Sequence, residues 1–179
     1  MKELLHDGWR ANRWLFELVN GQPAGPLDAV MLGLSWLGED WRFPLYLTVW
    51  LGVGMWQRRR GGRSGNSTLW AAAHYVWGFA LTVTLSSALK VALDMPRPLA
   101  ALGADAVRVL GEAVSRYSLP SGHAAVAALT AAALWPLART RLARLVLIAF
   151  VLGVGVSRIW LGRHFPVDIV AGYLVGLGA

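Results

Sequence analysis

The sequence contains no cysteine. This absence excludes disulfide bonds, a thiolate nucleophile and any metal site built on cysteine, and it leaves the redox compartment undetermined. Charged residues are also scarce: they make up 15% of the chain, with 10 acidic against 17 basic side chains. Such a chain is too poor in charge to be an ordinary soluble domain.

Apolar residues are abundant instead, at 56% of the 179 residues with a mean hydropathy of +0.47. This composition is typical of a polytopic membrane protein. Tryptophan prefers the headgroup zone of a bilayer, and several of the ten tryptophans lie at the ends of apolar segments: Trp41, Trp56, Trp70, Trp135 and Trp160. The basic residues fall in short clusters between apolar segments, so anionic lipid is expected as a partner and nucleic acid is not.

The N-terminal 40 residues predict two helices that differ from ordinary spans. Residues 3–19 mix apolar and charged side chains in the pattern of an amphipathic helix lying in the membrane interface. Residues 27–38 form an apolar segment of about 18 Å at 1.5 Å per residue, which is shorter than the hydrocarbon thickness. This segment is therefore either a re-entrant helix or a tilted span that its flanks complete.

The rest of the chain predicts the membrane core. Four apolar segments have lengths near the roughly 20 residues that a span needs: 42–57, 69–93, 121–138 and 142–161. A fifth begins at Pro166 and covers about 14 residues up to residue 179, too few to cross a bilayer unaided. The expected fold is all-α, with one domain over 1–179: a bundle of about five to six transmembrane helices with an N-terminal interfacial helix, in which the core spans at 42–179 carry the motifs.

Two arginine-rich loops predict the orientation of this bundle. Arg58, Arg59, Arg60 and Arg63 form one loop, and Arg139, Arg141 and Arg144 form the other. The alternation of spans puts both loops on one side, and the positive-inside rule makes that side cytoplasmic. The segments 94–120 and 162–166 then face the periplasm or the cell exterior, which indicates the inner membrane of a bacterium.

Three polar clusters fall on this non-cytoplasmic face. The first combines Lys90, at the end of a long apolar helix, with Arg97, which lies between Pro96 and Pro98. Both cations could point into one pocket after the prolines end the helix. Taken singly, a lysine at a helix end usually extends to the headgroups, and Arg97 could equally anchor a lipid phosphate.

The second cluster is Pro120-Ser121-Gly122-His123, directly before an alanine-rich apolar run. Ser121 has the position of an N-cap that opens a membrane helix, and His123 could be an ordinary hydrogen-bonded polar residue. However, a helix N-terminus also presents free N–H groups and a positive dipole end, and glycine permits close approach of an oxyanion. The same geometry can therefore cap a helix or bind phosphate.

The third cluster consists of Ser157-Arg158, His164 and Asp168. Ionisable groups beside apolar spans are costly unless they pair or line a wet cavity. Pro166 suits the first turn of a helix, so His164 precedes that helix and Asp168 lies within its first turn. The carboxylate could orient one imidazole nitrogen and leave the other as a nucleophile, or the pair could simply cap the helix.

Together the clusters form the pattern K-x6-RP, PSGH and SR-x5-H-x3-D, which resembles the type 2 phosphatidic acid phosphatase superfamily. No motif residue is substituted between Lys90 and Asp168. The resemblance implies that His164 attacks phosphorus, Asp168 orients it, and His123 protonates the leaving oxygen and later activates water. It further implies that the phosphoryl oxygens are held by a set of five residues: Lys90, Arg97, Ser121, Gly122 and Arg158.

The implied activity is hydrolysis of a lipid phosphate or diphosphate at the membrane surface, without a metal or other cofactor. Undecaprenyl diphosphate is the first choice of substrate by analogy with small bacterial members; phosphatidylglycerol phosphate, phosphatidic acid and lipid A phosphates remain open. The motifs also occur in soluble acid phosphatases and haloperoxidases, which the composition disfavours. A transporter or lipid-binding protein would leave the motifs unexplained. The segment 99–116 could form an interfacial helix whose Arg108 and Arg116 either read a headgroup or are solvated.

Overall fold

The computed structural model describes residues 9–59, 64–111 and 116–179. Within these ranges the chain is helical and contains no strand, as the sequence predicts. There are eight α-helices: α1 Arg10–Asn20, α2 Leu27–Leu37, α3 Phe43–Arg59, α4 Ser64–Leu93, α5 Pro98–Leu102, α6 Gly122–Leu134, α7 Arg141–Trp160 and α8 Pro166–Gly178. Two short 3₁₀ helices, Asp40–Arg42 and Trp135–Leu137, precede α3 and follow α6.

The helices agree closely with the apolar segments of the sequence. Helices α3, α7 and α8 begin within one residue of the predicted starts, whereas α4 begins five residues earlier than 69. The segment 121–138 becomes α6 followed by a 3₁₀ turn, because Pro136 lacks the N–H that an α-helix needs there. The predicted N-terminal helix is observed from residue 10 onward, since residues 1–8 lie outside the described ranges.

Two stretches of the described chain are both long and apolar enough to cross a bilayer: Trp70–Leu93 and Arg141–Trp160. Shorter apolar helices cover Leu27–Leu37, Gly122–Leu137 and Pro166–Gly178. The outer faces of α4, α7 and α8 carry exposed large apolar side chains, among them Leu81, Leu145 and Leu174. Such a surface suits lipid contact, and the number of five to six spans stays a prediction.

Helix α1 has two different faces. Trp14 and Leu18 are more than half exposed, in keeping with the expected contact with the membrane interface. On the opposite face Asn12, Phe16 and Asn20 are fully buried against α7 and α8. The helix is therefore part of the packed structure as well as a surface element.

Helix α6 lies at the centre of the bundle, in contact with α4, α7 and α8. Its residues 124–131 are all buried. Helix α8 approaches it through Gly172 and Gly176, where an added Cβ would lie 2.5 Å from Ser121 O and 2.0 Å from Ala125 O. Small residues that let two backbones meet are a common basis for helix packing in membranes.

The helix directions bring the three motifs together. Helices α4 and α7 end at the same end of the bundle at which α6 and α8 begin, so Lys90, Ser121, Arg158 and Asp168 share that end. The loop with Arg139 lies at the opposite end. Arg60 and Arg63, in the other basic loop, lie outside the described residues.

Candidate active site

His164 and Asp168 form a buried pair in the turn between α7 and α8. His164 is 2% exposed and Asp168 is fully buried, with 3.4 Å between His164 Nδ1 and Asp168 Oδ2. Phe165 N donates to the same carboxylate oxygen at 2.9 Å, and Asp168 occupies the first turn of α8, where the helix dipole favours a negative charge. The carboxylate thus fixes the imidazole with Nδ1 toward Asp168 and Nε2 directed away from it.

The imidazole of His164 is neutral in this setting. Burial lowers its pKa to about 3, against the opposing effects of the hydrogen bond and charge of Asp168. A neutral imidazole with Nδ1–H directed at a carboxylate carries a lone pair on Nε2. The pair therefore has the geometry and protonation of a nitrogen nucleophile.

Ser118 contacts both residues of this pair, and it is not part of the sequence motifs. Its side chain is fully buried, its Oγ donates to Asp168 Oδ2, and the same Oγ lies 3.4 Å from His164 Nδ1. Ser118 precedes Pro120 by two residues in a short loop. Nothing in the sequence distinguishes it from an exposed loop serine.

Arg97 lies against the Nε2 side of the imidazole. Its Nη1 donates to the carbonyl of Arg163 at 2.9 Å and lies 3.3 Å from His164 Nε2. Burial lowers the pKa of Arg97 to about 10, which still leaves the guanidinium protonated at neutral pH. The positive charge of Arg97 thus lies beside His164 Nε2, the nitrogen that would attack phosphorus.

Two further cations complete the cluster. Arg158, at the end of α7, is 7% exposed and donates through Nη1 to Ser35 Oγ, while its Nε is buried without a hydrogen-bond partner among the described residues. Lys90 Nζ lies 3.9 Å from the position of a Cβ on Gly122. Arg158 Nε is thus a buried donor of a cationic group, of the kind that can bind an oxyanion.

The N-terminus of α6 supplies the remaining donors. Ser121 is fully buried and acts as the N-cap, with Oγ accepting from Ala124 N at 3.5 Å. An oxygen that accepts this bond still has its own O–H to donate. Ser121 is thus a helix cap, as one interpretation of the sequence holds, and it is also placed to contact a phosphoryl oxygen.

His123 lies in the first turn of α6, beside the same charges. Its environment includes the positive charges of Arg158, Lys90 and Arg97. The side chain packs against the backbone of Gly38, 3.3 Å from where a Cβ would stand on that glycine. The second histidine of the motifs therefore belongs to the same cluster as His164.

The N-terminal segment contributes more than the sequence indicates. Ser35 of α2 is 5% exposed and binds Arg158 across 123 residues of chain. No N-terminal motif announces this contact, because it depends on the packing of α2 against α7. The segment forms one wall of the site.

In the described residues 99–111, the segment is not the continuous interfacial helix that the sequence allows. Helix α5 covers only Pro98–Leu102, and Gly103 follows with a φ of +86°, which ends the helix. Arg108 is bound by Asp28 at 3.0 and 3.1 Å, and its backbone is held by Asn20 at 2.8 and 2.9 Å. Its side chain therefore supports the fold.

The other arginine of this segment is at the surface. Arg116 lies 3.1 Å from Asp94 in an ion pair whose arginine side chain is 74% exposed. An exposed pair of this kind contributes little to stability. Neither arginine reaches the cluster around His164 through a contact seen in the structure.

Within the described ranges, no group of three or more histidine or acidic side chains has the arrangement of a metal site. The candidate site instead combines two histidines and one carboxylate with three cations and the N-terminus of α6. This arrangement can bind the oxygens of a phosphoryl group and present a nitrogen nucleophile to its phosphorus.

Comparisons with curated proteins find two relatives, each of which matches most of this chain. Phosphatidylglycerophosphatase B of Bacillus subtilis is 29% identical over 164 residues, covering 84% of this chain and 70% of the relative. Undecaprenyl-diphosphatase of Sulfolobus acidocaldarius is 28% identical over 163 residues, covering 90% of this chain and 71% of the relative. Both proteins are named as enzymes that act on lipid phosphates.

Solved structures share the fold. LpxE of Aquifex aeolicus matches with a TM-score of 0.73 and 27% identity, over 93% of this chain and 90% of the other. A transmembrane PAP2-type phosphatidylglycerolphosphate phosphatase from Bacillus subtilis matches with a TM-score of 0.75 and 21% identity, over 96% and 81%. The model of the PAP2 superfamily matches residues 71–179, which include every motif residue. The chain therefore belongs to the PAP2 superfamily and is a lipid phosphatase.

Proposed function

We propose that the chain removes the terminal phosphate of a lipid diphosphate, undecaprenyl diphosphate first, through a phosphohistidine intermediate and without a metal. The observation that carries this proposal is the buried His164, which is held by Asp168 on one side and faces Arg97 on the other. A nitrogen nucleophile beside a fixed cation is what attack on a phosphoryl group requires.

In the first step, His164 Nε2 attacks phosphorus in line with the leaving oxygen. A P–N bond forms while the P–O bond to the lipid breaks, and His123 gives its proton to the leaving oxygen. Asp168 stabilises the positive charge that develops on the His164 ring, and Ser118 and Phe165 N hold the carboxylate in place. The products are the lipid monophosphate and a phosphoenzyme.

In the second step, His123 takes a proton from water, and the water oxygen attacks phosphorus. The P–N bond breaks, inorganic phosphate leaves, and both histidines return to their initial states. Lys90, Arg97, Arg158, Ser121 and the backbone of Gly122 hold the phosphoryl oxygens in both steps. Three fixed cations and a helix N-terminus offset the charge that a metal ion neutralises in other phosphoryl-transfer enzymes.

The choice of lipid rests on likeness. The relative from Sulfolobus acidocaldarius is named an undecaprenyl-diphosphatase and matches 90% of this chain, which favours a polyprenyl diphosphate. Phosphatidylglycerol phosphate is the second candidate, because the curated relative from Bacillus subtilis is named for that substrate. At 28–29% identity, both lipids stay candidates.

Phosphate release from a panel of lipids tests this function. The panel is undecaprenyl diphosphate, phosphatidylglycerol phosphate, phosphatidic acid and lipid A phosphate, in detergent, with and without EDTA. We expect the highest kcat/KM on the diphosphate, unchanged activity in EDTA, and inhibition by vanadate, which mimics the trigonal-bipyramidal state. Activity that disappears in EDTA and returns with Mg²⁺ contradicts the mechanism.

The orientation proposed from the sequence places the site on the periplasmic or external face of a bacterial inner membrane. Because the chain has no cysteine, single cysteine reporters can be introduced without first replacing a native cysteine. Ala104 lies in an exposed loop at the end of the bundle that holds the site, and Arg139 lies in an exposed loop at the opposite end. The two reporters are Ala104→Cys and Arg139→Cys. We expect an impermeant thiol reagent to label Ala104→Cys in intact cells and Arg139→Cys only after lysis. The reverse pattern places the site in the cytoplasm.

A further inference from the structure

The buried face of α4 changes character along the helix. In its first half, this face carries Ala72 and Tyr75, packed in an apolar core. In its second half it carries Thr82, Ser86 and Lys90, which a spacing of four residues places on one side of the helix. Two hydroxyl groups thus lie in a row on the interior face of α4, and Lys90 follows them on the same face.

The two hydroxyl groups of this row are buried and have no partner. Thr82 is 1% exposed and Ser86 is 5% exposed, and neither side-chain oxygen forms a hydrogen bond with any described residue. In helices such hydroxyls commonly bond to the carbonyl four residues earlier. Since an unsatisfied buried polar group is costly, two neighbouring ones indicate a ligand that the site is built to receive.

A cavity connects this row with the active site. It has a volume of about 60 Å³ and is lined by Thr82, Ser86, Lys90 and Gly122, with the exposed Asp40 at its edge. One buried water molecule needs roughly 10–15 Å³ of such space, so the cavity has room for a small polar group. The group must adjoin the reacting phosphate, because Lys90 and Gly122 border both.

We propose that Thr82 and Ser86 form, with Lys90, a subsite for the inner phosphate of a lipid diphosphate. The inference rests on the proposed function, in which the inner phosphate is the leaving group. That phosphate has two non-bridging oxygens, and two hydroxyl donors match them, whereas the leaving alcohol of a monophosphate lacks both. Asp40, whose carboxylate accepts from Trp41 N at 2.9 Å, opposes the charge of Lys90. Hydroxyl geometry, more than net charge, then distinguishes the two kinds of substrate.

The test compares one variant on two matched substrates. The double variant Thr82→Val and Ser86→Ala removes both hydroxyls with little change in volume, and Thr84→Val makes the same change on the exposed face of α4. Each is assayed on a polyprenyl diphosphate and on the polyprenyl monophosphate of equal chain length. Because each lost bond to a charged oxygen typically costs about tenfold or more, we expect the loss of both to lower the ratio of kcat/KM, diphosphate over monophosphate, by about 100-fold or more. Thr84→Val should keep the wild-type ratio.

Three other results overturn the subsite. An unchanged ratio in the double variant means that the hydroxyls do not bind the inner phosphate. A fall in the ratio of phosphatidylglycerol phosphate over phosphatidic acid, with no fall for the diphosphate, means that they bind a glycerol headgroup instead. A wild-type protein that hydrolyses only monophosphates refutes the proposed substrate together with the subsite. The unchanged ratio, in contrast, leaves the proposed function intact.

Discussion

Replacing His164 with alanine should remove both lipid hydrolysis and the covalent intermediate. The buried Nε2 is the proposed nucleophile, and loss of a nucleophile typically lowers kcat by about 10⁴-fold or more. Acid quenching with ³²P-labelled substrate should trap label on the wild-type protein and none on the variant. His74→Ala is the matched control, because His74 is exposed on α4 and its ring contacts only the carbonyl of Trp70 among the contacts seen.

The folded state of the variant needs a separate check, since His164 is 2% exposed and alanine leaves a cavity. His164→Gln keeps most of the volume and a group able to bond with Asp168, yet it provides no nucleophilic nitrogen. Both variants should elute from a gel-filtration column at the volume of the wild-type protein. Neither should carry ³²P label after acid quenching. Label trapped on folded His164→Gln means that another residue attacks phosphorus.

Replacing His123 with alanine should slow the reaction in a manner that depends on the leaving group. His123 is the proposed acid in the first step and the base in the second, and such a role is typically worth about 10² to 10⁴ in rate. An aryl phosphate with an activated leaving group needs no proton, so His164 can still attack it. We expect His123→Ala to retain a larger share of first-step activity on the aryl phosphate than on a lipid phosphate, with trapped label.

The same trapping experiment separates the two histidines. If label stays on His164→Ala and disappears from His123→Ala, the two roles are exchanged. If the aryl phosphate gives His123→Ala no advantage over the lipid, His123 does not act as the acid of the first step. Measuring the burst of aryl alcohol resolves the first step from the second.

Much of this architecture is encoded locally, which is why the sequence predicts it. Long apolar runs define α4 and α7, and proline defines the start of α8 because its fixed φ suits the first turn. Short motif spacing brings His164 and Asp168 together within one helical turn. Ser121 begins α6 for the same local reason, as an N-cap.

The residues that the sequence does not reveal act across long separations. Ser35 reaches Arg158, and Ser118 reaches Asp168, over 123 and 50 residues respectively. Serine has no pattern that predicts such a contact, because packing between helices decides it. Likewise, the hydrophobic content of 99–116 allowed a helix, but Gly103 ends α5 and Asn20 holds the following loop in an irregular conformation.

Helix α1 joins the outer surface of the bundle to the turn that carries His164. Its outward side carries Trp14 and Leu18, while its inward side holds the nucleophile turn: Asn12 Oδ1 accepts from Val167 N at 2.9 Å, and Phe16 packs on Phe165 with ring centroids 5.1 Å apart. One rigid helix therefore links the plane of the headgroups to the imidazole. We therefore expect the packing of α1 to fix the depth of His164 relative to the membrane interface.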